Sequence, residues 1–226
     1  MILPLSNTVT VIDGADNSTT TVAAGTSPYA VAVNPITNKI YVANNGSDNV
    51  TVIDGRDNST TTVPAGIVPS DVEVNTVTNK IYVANTSSRN VTVIDGTNNS
   101  TTTVAAGQFA IDIAINMVTN KIYVANRFGD SVTVINGIDN STTTVTGFSQ
   151  PIAIAVNEET NKIYVANFNG NSVTVIDGTS NSTQTLAVGT SPIDVVVNPV
   201  TNKIYVANRN SNNVTVIDGR QRPKKR

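Results

Sequence analysis

Short apolar runs alternate along the chain with clusters of Asn, Asp, Gly, Ser, Thr and Pro, and the alternation recurs every 41 residues. The octapeptide "TNKIYVAN" marks the period, starting at Thr37, Thr78, Thr119, Thr160 and Thr201. One unit, from Pro69 to Gly107, holds four strand-like pieces: A (71–75), B (80–84), C (90–94) and D (101–105). β-branched residues dominate them and no 3.6-residue period survives, so the pattern predicts strands rather than helices. Piece B, "KIYVA", is apolar at consecutive positions and needs cover on both faces. Piece C, "NVTVID", is apolar with one Thr. Piece D, "STTTV", is nearly all hydroxyl, which suits an edge strand facing water.

A buried-to-exposed gradient over four sequential strands describes one blade of a β-propeller, with A innermost and D at the rim. A β-helix would repeat at a shorter period, and a sandwich would not repeat at all. The chain begins in a C strand and ends after another, so its order is C-D, four full units, then A-B-C. The first D strand, "STTTVAAG" from Ser18, is expected to complete the last blade. That arrangement predicts five blades in a single domain (1–219) and one spare C strand. The spare strand points to an open or incomplete ring of a larger propeller, or to pairing of two molecules through the unclosed edge.

"KIYVAN" followed by "NVTVIDG" resembles the YVTN-repeat β-propeller family of bacteria and archaea, with Ala where the motif has Thr. The resemblance covers nearly the whole chain. It implies a prokaryotic, secreted, periplasmic or cell-surface protein of the surface-layer-like kind, and it constrains fold more than activity. Some members of the family bind DNA.

Composition narrows the chemistry. There is no His and no Cys, which removes His-based acid–base catalysis, thiol nucleophiles, disulfides and the commonest metal ligands. The net charge of −2 hides an asymmetry, because Arg220, Arg222, Lys224, Lys225 and Arg226 all lie in a basic tail, 220–226. The rest of the chain carries 9 positive against 16 negative charges. An acidic body argues against a general nucleic-acid surface outside that tail. The tail is read as solvated, with an electrostatic tether to an anionic surface as the alternative. No run reaches the length of a membrane span, and "MILPLSNTVTV" lacks the basic and apolar regions of a signal peptide.

Variation among the copies is concentrated at one end of the blades. The A-B loops barely change ("NPITNK", "NTVTNK", "NMVTNK"), whereas the B-C loops differ at almost every position ("NGSD", "TSSR", "RFGD", "FNGN", "RNSN"). The B-C loops and D-A segments share one face, here the top. All four Phe residues map there, Phe128 and Phe168 in B-C loops, Phe109 and Phe148 in D-A segments. Arg89, Arg127 and Arg209 map there too. These seven residues form a candidate surface for a protein or small ligand, with loop packing as the alternative.

The A strands supply a second set, Asp71, Asp112 and Asp194, with Glu73 beside the first. These carboxylates are expected at a central channel, where Asp most often bonds backbone N–H groups. A Ca²⁺ ion at the channel mouth, or hydrolase or lyase chemistry, are the functional alternatives. No other cofactor is expected. The C-D turns lack the terminal Glu of a Ca²⁺ loop and are read as turns. The "NST" sequons at Asn17, Asn58, Asn99, Asn140 and Asn181 are read the same way. The leading expectation is a non-enzymatic binding scaffold; a truncated or recently amplified array without a specialised activity is a further reading.

Overall fold

The computed structural model describes residues 6–220, and the basic segment 221–226 lies outside the described residues. Backbone contacts gather the chain into two compact units, Met1–Ala110 and Ile111–Arg226. The first holds the pair β1 (Thr8–Ile12) and β2 (Thr19–Ala23). It also holds two four-stranded sheets: β3 (Pro28–Asn34), β4 (Lys39–Asn44), β5 (Asn49–Asp54) and β6 (Thr60–Pro64), then β7 (Pro69–Asn75), β8 (Lys80–Asn85), β9 (Asn90–Asp95) and β10 (Thr101–Ala105). The second unit continues with β11 (Ala110–Asn116), β12 (Lys121–Asn126), β13 (Ser131–Asn136) and β14 (Thr142–Thr146). Its next sheet is β15 (Pro151–Asn157), β16 (Lys162–Asn167), β17 (Ser172–Asp177) and β18 (Thr183–Ala187). The last has three strands, β19 (Pro192–Asn198), β20 (Lys203–Asn208) and β21 (Asn213–Asp218). The only helix among the described residues is one 3-10 turn, Arg127–Gly129.

All-β content in sequential antiparallel sheets agrees with the sequence pattern, and the strand limits match the predicted pieces to within two residues. The sheets do not close into a ring in the expected way. β2 does not complete the last sheet; it pairs with β1 in the register Thr8↔Ala23 to Ile12↔Thr19. The six-residue "DGADNS" turn makes that local hairpin cheap to close, and every other C-D hairpin forms alike.

Each residue of the octapeptide has a task. The second, an Asn, adopts φ near +50° at Asn38, Asn79, Asn120, Asn161 and Asn202, a left-handed turn position that Asn tolerates. Its carbonyl accepts from a glycine N–H, as in Gly55 N to Asn38 O at 2.8 Å. Its side chain joins successive sheets within a unit: Asn34 Nδ2 donates to Asn79 Oδ1 at 2.9 Å, and Asn157 Nδ2 to Asn202 Oδ1 at 2.8 Å. In two copies the Lys reaches the next sheet's C-D turn, Lys39 Nζ to Gly96 O at 3.0 Å and Lys121 Nζ to Gly178 O at 2.6 Å, whereas Lys162 Nζ pairs with Asp177 Oδ2 of its own sheet at 2.7 Å. Ile, Tyr, Val and Ala fill the space between sheets, and Tyr41, Tyr82 and Tyr123 are fully buried. The final Asn is buried and donates to the C strand, as Asn126 Nδ2 does to Ser131 Oγ at 3.2 Å and Thr133 Oγ1 at 2.9 Å. That bond explains the single Thr inside each apolar C strand: it is the buried acceptor for this Asn.

D strands expose their Thr residues, and four of the five bury one Val each, at Val22, Val63, Val104 and Val145, while β18 has the half-buried Leu186 in that column. Within each unit, successive sheets pack through their A and B strands. The variable B-C loops therefore emerge at one end of each sheet, beside the D-A segments of the sheet that follows.

Candidate functional site

In both units a B-C loop clamps the D-A segment of the next sheet. A residue with positive φ ends the loop, and its side-chain oxygen accepts a backbone N–H. Val68 N donates to Asp48 Oδ1 at 2.8 Å, Gln150 N to Asp130 Oδ1 at 2.7 Å, and Ser191 N to Asn171 Oδ1 at 2.9 Å. Arg89 occupies this column in the second copy, with φ +53° and its side chain exposed. An Arg side chain offers no acceptor, so this copy departs from the clamp and presents a cation instead. Phe109 is half-buried with φ +62°, a costly conformation for an aromatic residue.

The second unit brings three of the seven candidates together. Arg127 opens the 3-10 turn and its guanidinium lies 5.3 Å from the Phe128 ring centre and 5.5 Å from that of Phe168. Both distances suit cation–π attraction. Phe128 is 47% exposed, and Arg127 and Phe168 are half-buried. The Arg127 Nε is buried without a hydrogen-bond partner among the described residues. Arg209 is exposed on the following B-C loop.

Phe148 stands apart from this group. It is only 8% exposed and belongs to the core with Tyr123, Val132, Val145 and Val165, so it is packing rather than presented surface. A Phe fits there because its surroundings have changed. In the Gly66 copy a Cβ would collide with Ser88 Oγ, with Asn90 Oδ1 at 2.6 Å and with Asn85 Cγ at 2.7 Å. In the Phe148 copy, Gly170 stands in the Ser88 column and Ser172 in the Asn90 column. Ser88 Oγ accepts from Ile67 N at 2.9 Å; in the Phe148 copy Asn167 Oδ1 takes over, accepting from Ser149 N at 3.3 Å. Gly and Ser also replace Ser and Asn in the third copy, as Gly129 and Ser131, where the column keeps Gly107, so these two changes make room for a Phe without requiring one.

The A-strand carboxylates have separate surroundings. Asp112 Oδ2 accepts from Ile154 N at 2.7 Å, tying one A strand to the next. Asp194 Oδ1 accepts from Val195 N at 2.8 Å, a local bond. Among the described residues no three acidic side chains gather closely enough to hold a metal ion. Asp71 and Glu73 lie on one face of β7. Glu73 keeps an exposed face, so partial desolvation, then the charge of Asp71, raise its carboxyl from 4.5, to about 7 at most, and the effect on stability is small. Since its folded pKa lies above its unfolded one, its stabilising contribution is complete below about pH 4.5 and is lost as pH rises to about 7. The melting temperature of the protein is therefore expected to fall relative to Glu73→Gln across that window. A difference between the two that does not vary with pH would contradict the shift.

The C-D turns consume their own polar groups. Asp57 Oδ1 accepts from Ser59 N at 2.9 Å, a bond that holds its carboxyl below the usual range. The sequon residue Asn58 has φ +60° and donates its N–H to Asp54 O at 2.8 Å. Both observations describe a tight Asx-type turn.

No family model matches the chain, and no curated protein matches it. Among solved structures, hydrazine synthase from Kuenenia stuttgartiensis is similar over 94% of this chain and 89% of that chain, with a TM-score of 0.52 and 17% identity. Likeness at that identity concerns the fold alone. Fold and comparison together define a β-propeller-like protein built from repeated antiparallel sheets. Among the described residues no helix is long and apolar enough to cross a membrane.

Proposed function

We propose that this chain is a non-enzymatic binding or scaffold module whose variable B-C loops meet a protein or small ligand. The sequence resemblance to YVTN-repeat propellers favours a role at or beyond the cell surface. The observation that carries the reading is Arg127 held between Phe128 and Phe168, on loops that differ in every copy. A guanidinium against two aromatic rings suits a carboxylate attached to an apolar group. Burying a Phe side chain contributes about 1.5–3 kcal/mol, so few contacts suffice for a weak, specific site.

Benzoate carries both features and serves as a probe. In an NMR titration it is expected to shift the backbone signals of residues 126–130 and 166–170, and Arg127→Ala is expected to abolish the shifts while the spectrum elsewhere is retained. Equal shifts in the Arg127→Ala protein, or none in the parent, would remove this site from the proposal.

A further inference from the structure

Among the described residues, the back of the sheet β3–β6 and the front of the sheet β19–β21 leave bare the kind of surface that packed sheets bury inside each unit. On an A strand one set of side chains faces the preceding sheet and the other the following sheet. Ala30 and Ala32 of β3 pack forward against the cluster containing Val72 and Val74 of β7. Val72 is accordingly 2% exposed, whereas Val31, its counterpart on β3, is 60% exposed, with Tyr29 and Val33 bare beside it. The pair β1–β2 covers only the outer part of that sheet, around Val42 and Ile53. At the other end the forward face of the last sheet is bare. Val214 is 59% exposed where Val132 and Val173 are 0%, and Val196 of β19 is 53% exposed.

The polar links between sheets are left half-made at the same places. Asn157 reaches forward to Asn202, but Asn198 in the same column is exposed and makes no such bond. Asn79 receives the bond from Asn34, whereas Asn38 Oδ1 receives none from an Asn side chain among the described residues. Lys39 and Lys121 reach the carbonyls of Gly96 and Gly178; Lys203 in the same column is exposed and makes no such bond among the described residues. Its counterpart acceptor at the N-terminal end is the carbonyl of Gly55.

We infer that the C-terminal sheet of one copy is covered by the N-terminal end of a second copy of this chain. Inside each unit the Asn column already makes this link between sheets, as Asn34 does to Asn79 and Asn157 to Asn202, and Ala32, which stands in the Val196 column, packs forward onto Val72 and Val74. Val196 would meet Val31 and Val33, Asn198 would donate to Asn38, and Lys203 to the Gly55 carbonyl. The last sheet lacks a D strand, and β1–β2 is a C-D pair without A and B. Because β1 and β21 share the sequence "VTVID", either can lie beside β20, and β1 brings the rim strand β2 with it. The interface is heterologous, joining different surfaces of the two copies, so it builds closed rings or longer chains of copies.

Sedimentation velocity from low micromolar to sub-millimolar concentration tests this. The parent is expected to sediment as two or more chains. Val196→Lys and Val31→Lys each place a charge on an already exposed strand position, which leaves folding intact as checked by circular dichroism. Each alone loses one of the two surfaces for every copy and is expected to be monomeric. Mixed in equal amounts, they are expected to form a dimer and nothing larger, since one good surface remains on each. A parent that stays monomeric over the whole range, or a mixture that stays monomeric while the parent associates, overturns the inference. Association of either variant alone as strongly as the parent also overturns it.

Discussion

Tyr123→Ala is expected to lower the unfolding free energy by about 3–5 kcal/mol, the loss typical of a large buried aromatic. Tyr205→Ala, in an identical octapeptide, is expected to cost less than half as much. Tyr123 is fully buried between two sheets, whereas Tyr205 lies in the last sheet and is half-buried. Local sequence, strand propensity and unfolded-state effects are the same at the two sites, so the difference isolates the contribution of the covering sheet. Burial pushes the Tyr123 hydroxyl up to about 12, in keeping with a ring embedded in apolar surroundings. Tyr123→Phe is expected to change stability far less than Tyr123→Ala, because the ring makes the contacts. Denaturant unfolding of the three variants decides the matter, and equal losses at Tyr123 and Tyr205 would contradict the packing account.

The second large effect concerns the glycine column. Gly66→Phe is expected to destabilise by about 3 kcal/mol or more, since overpacking a rigid site forces side chains and backbone to move. The obstacles are Ser88, Asn90 and Asn85, all tied into the hydrogen bonds at the top of that sheet. Combining Gly66→Phe with Ser88→Gly and Asn90→Ser reproduces the surroundings of Phe148 and is expected to recover more than half of the loss. A thermodynamic cycle over these changes should show a favourable coupling of about 1–3 kcal/mol. Strict additivity would mean that Phe148 is accommodated by something other than Gly170 and Ser172.

Much of this fold was legible because a repeat shows its own constraints. "KIYVA" had to be covered on both faces, "STTTV" had to meet water, and the Asn of "TNK" had to turn. Two features were less legible. The strand count at the ends left β2 a choice between two identical partners, β1 and β21, and periodicity is silent on which is taken. The fate of the Phe residues was also hidden, because sheet-end position alone does not separate a ring pointing out from one pointing in. Gly170 gives no clue by itself, since Gly129 replaces the same Ser in the copy that keeps Gly107. The Asp residues illustrate the same limit: Asp112 spends an oxygen on Ile154 N, a bond between sheets that one strand's sequence does not contain. The near-identity of the copies reflects the identical environments between like sheets, and departures from it mark where the surroundings differ or a surface is presented.

In the function proposed for this protein, the invariant positions build the fold while the exposed departures at the sheet ends are surface for recognition. Unfolding free energies of Phe128→Ser and Phe148→Ser, measured side by side, test it most directly. Phe128→Ser is expected to cost less than about 1 kcal/mol and Phe148→Ser more than about 2 kcal/mol, in line with their burial. If Phe128→Ser costs as much as Phe148→Ser, the aromatic group around Arg127 is packing, and the recognition surface proposed for these loops is contradicted.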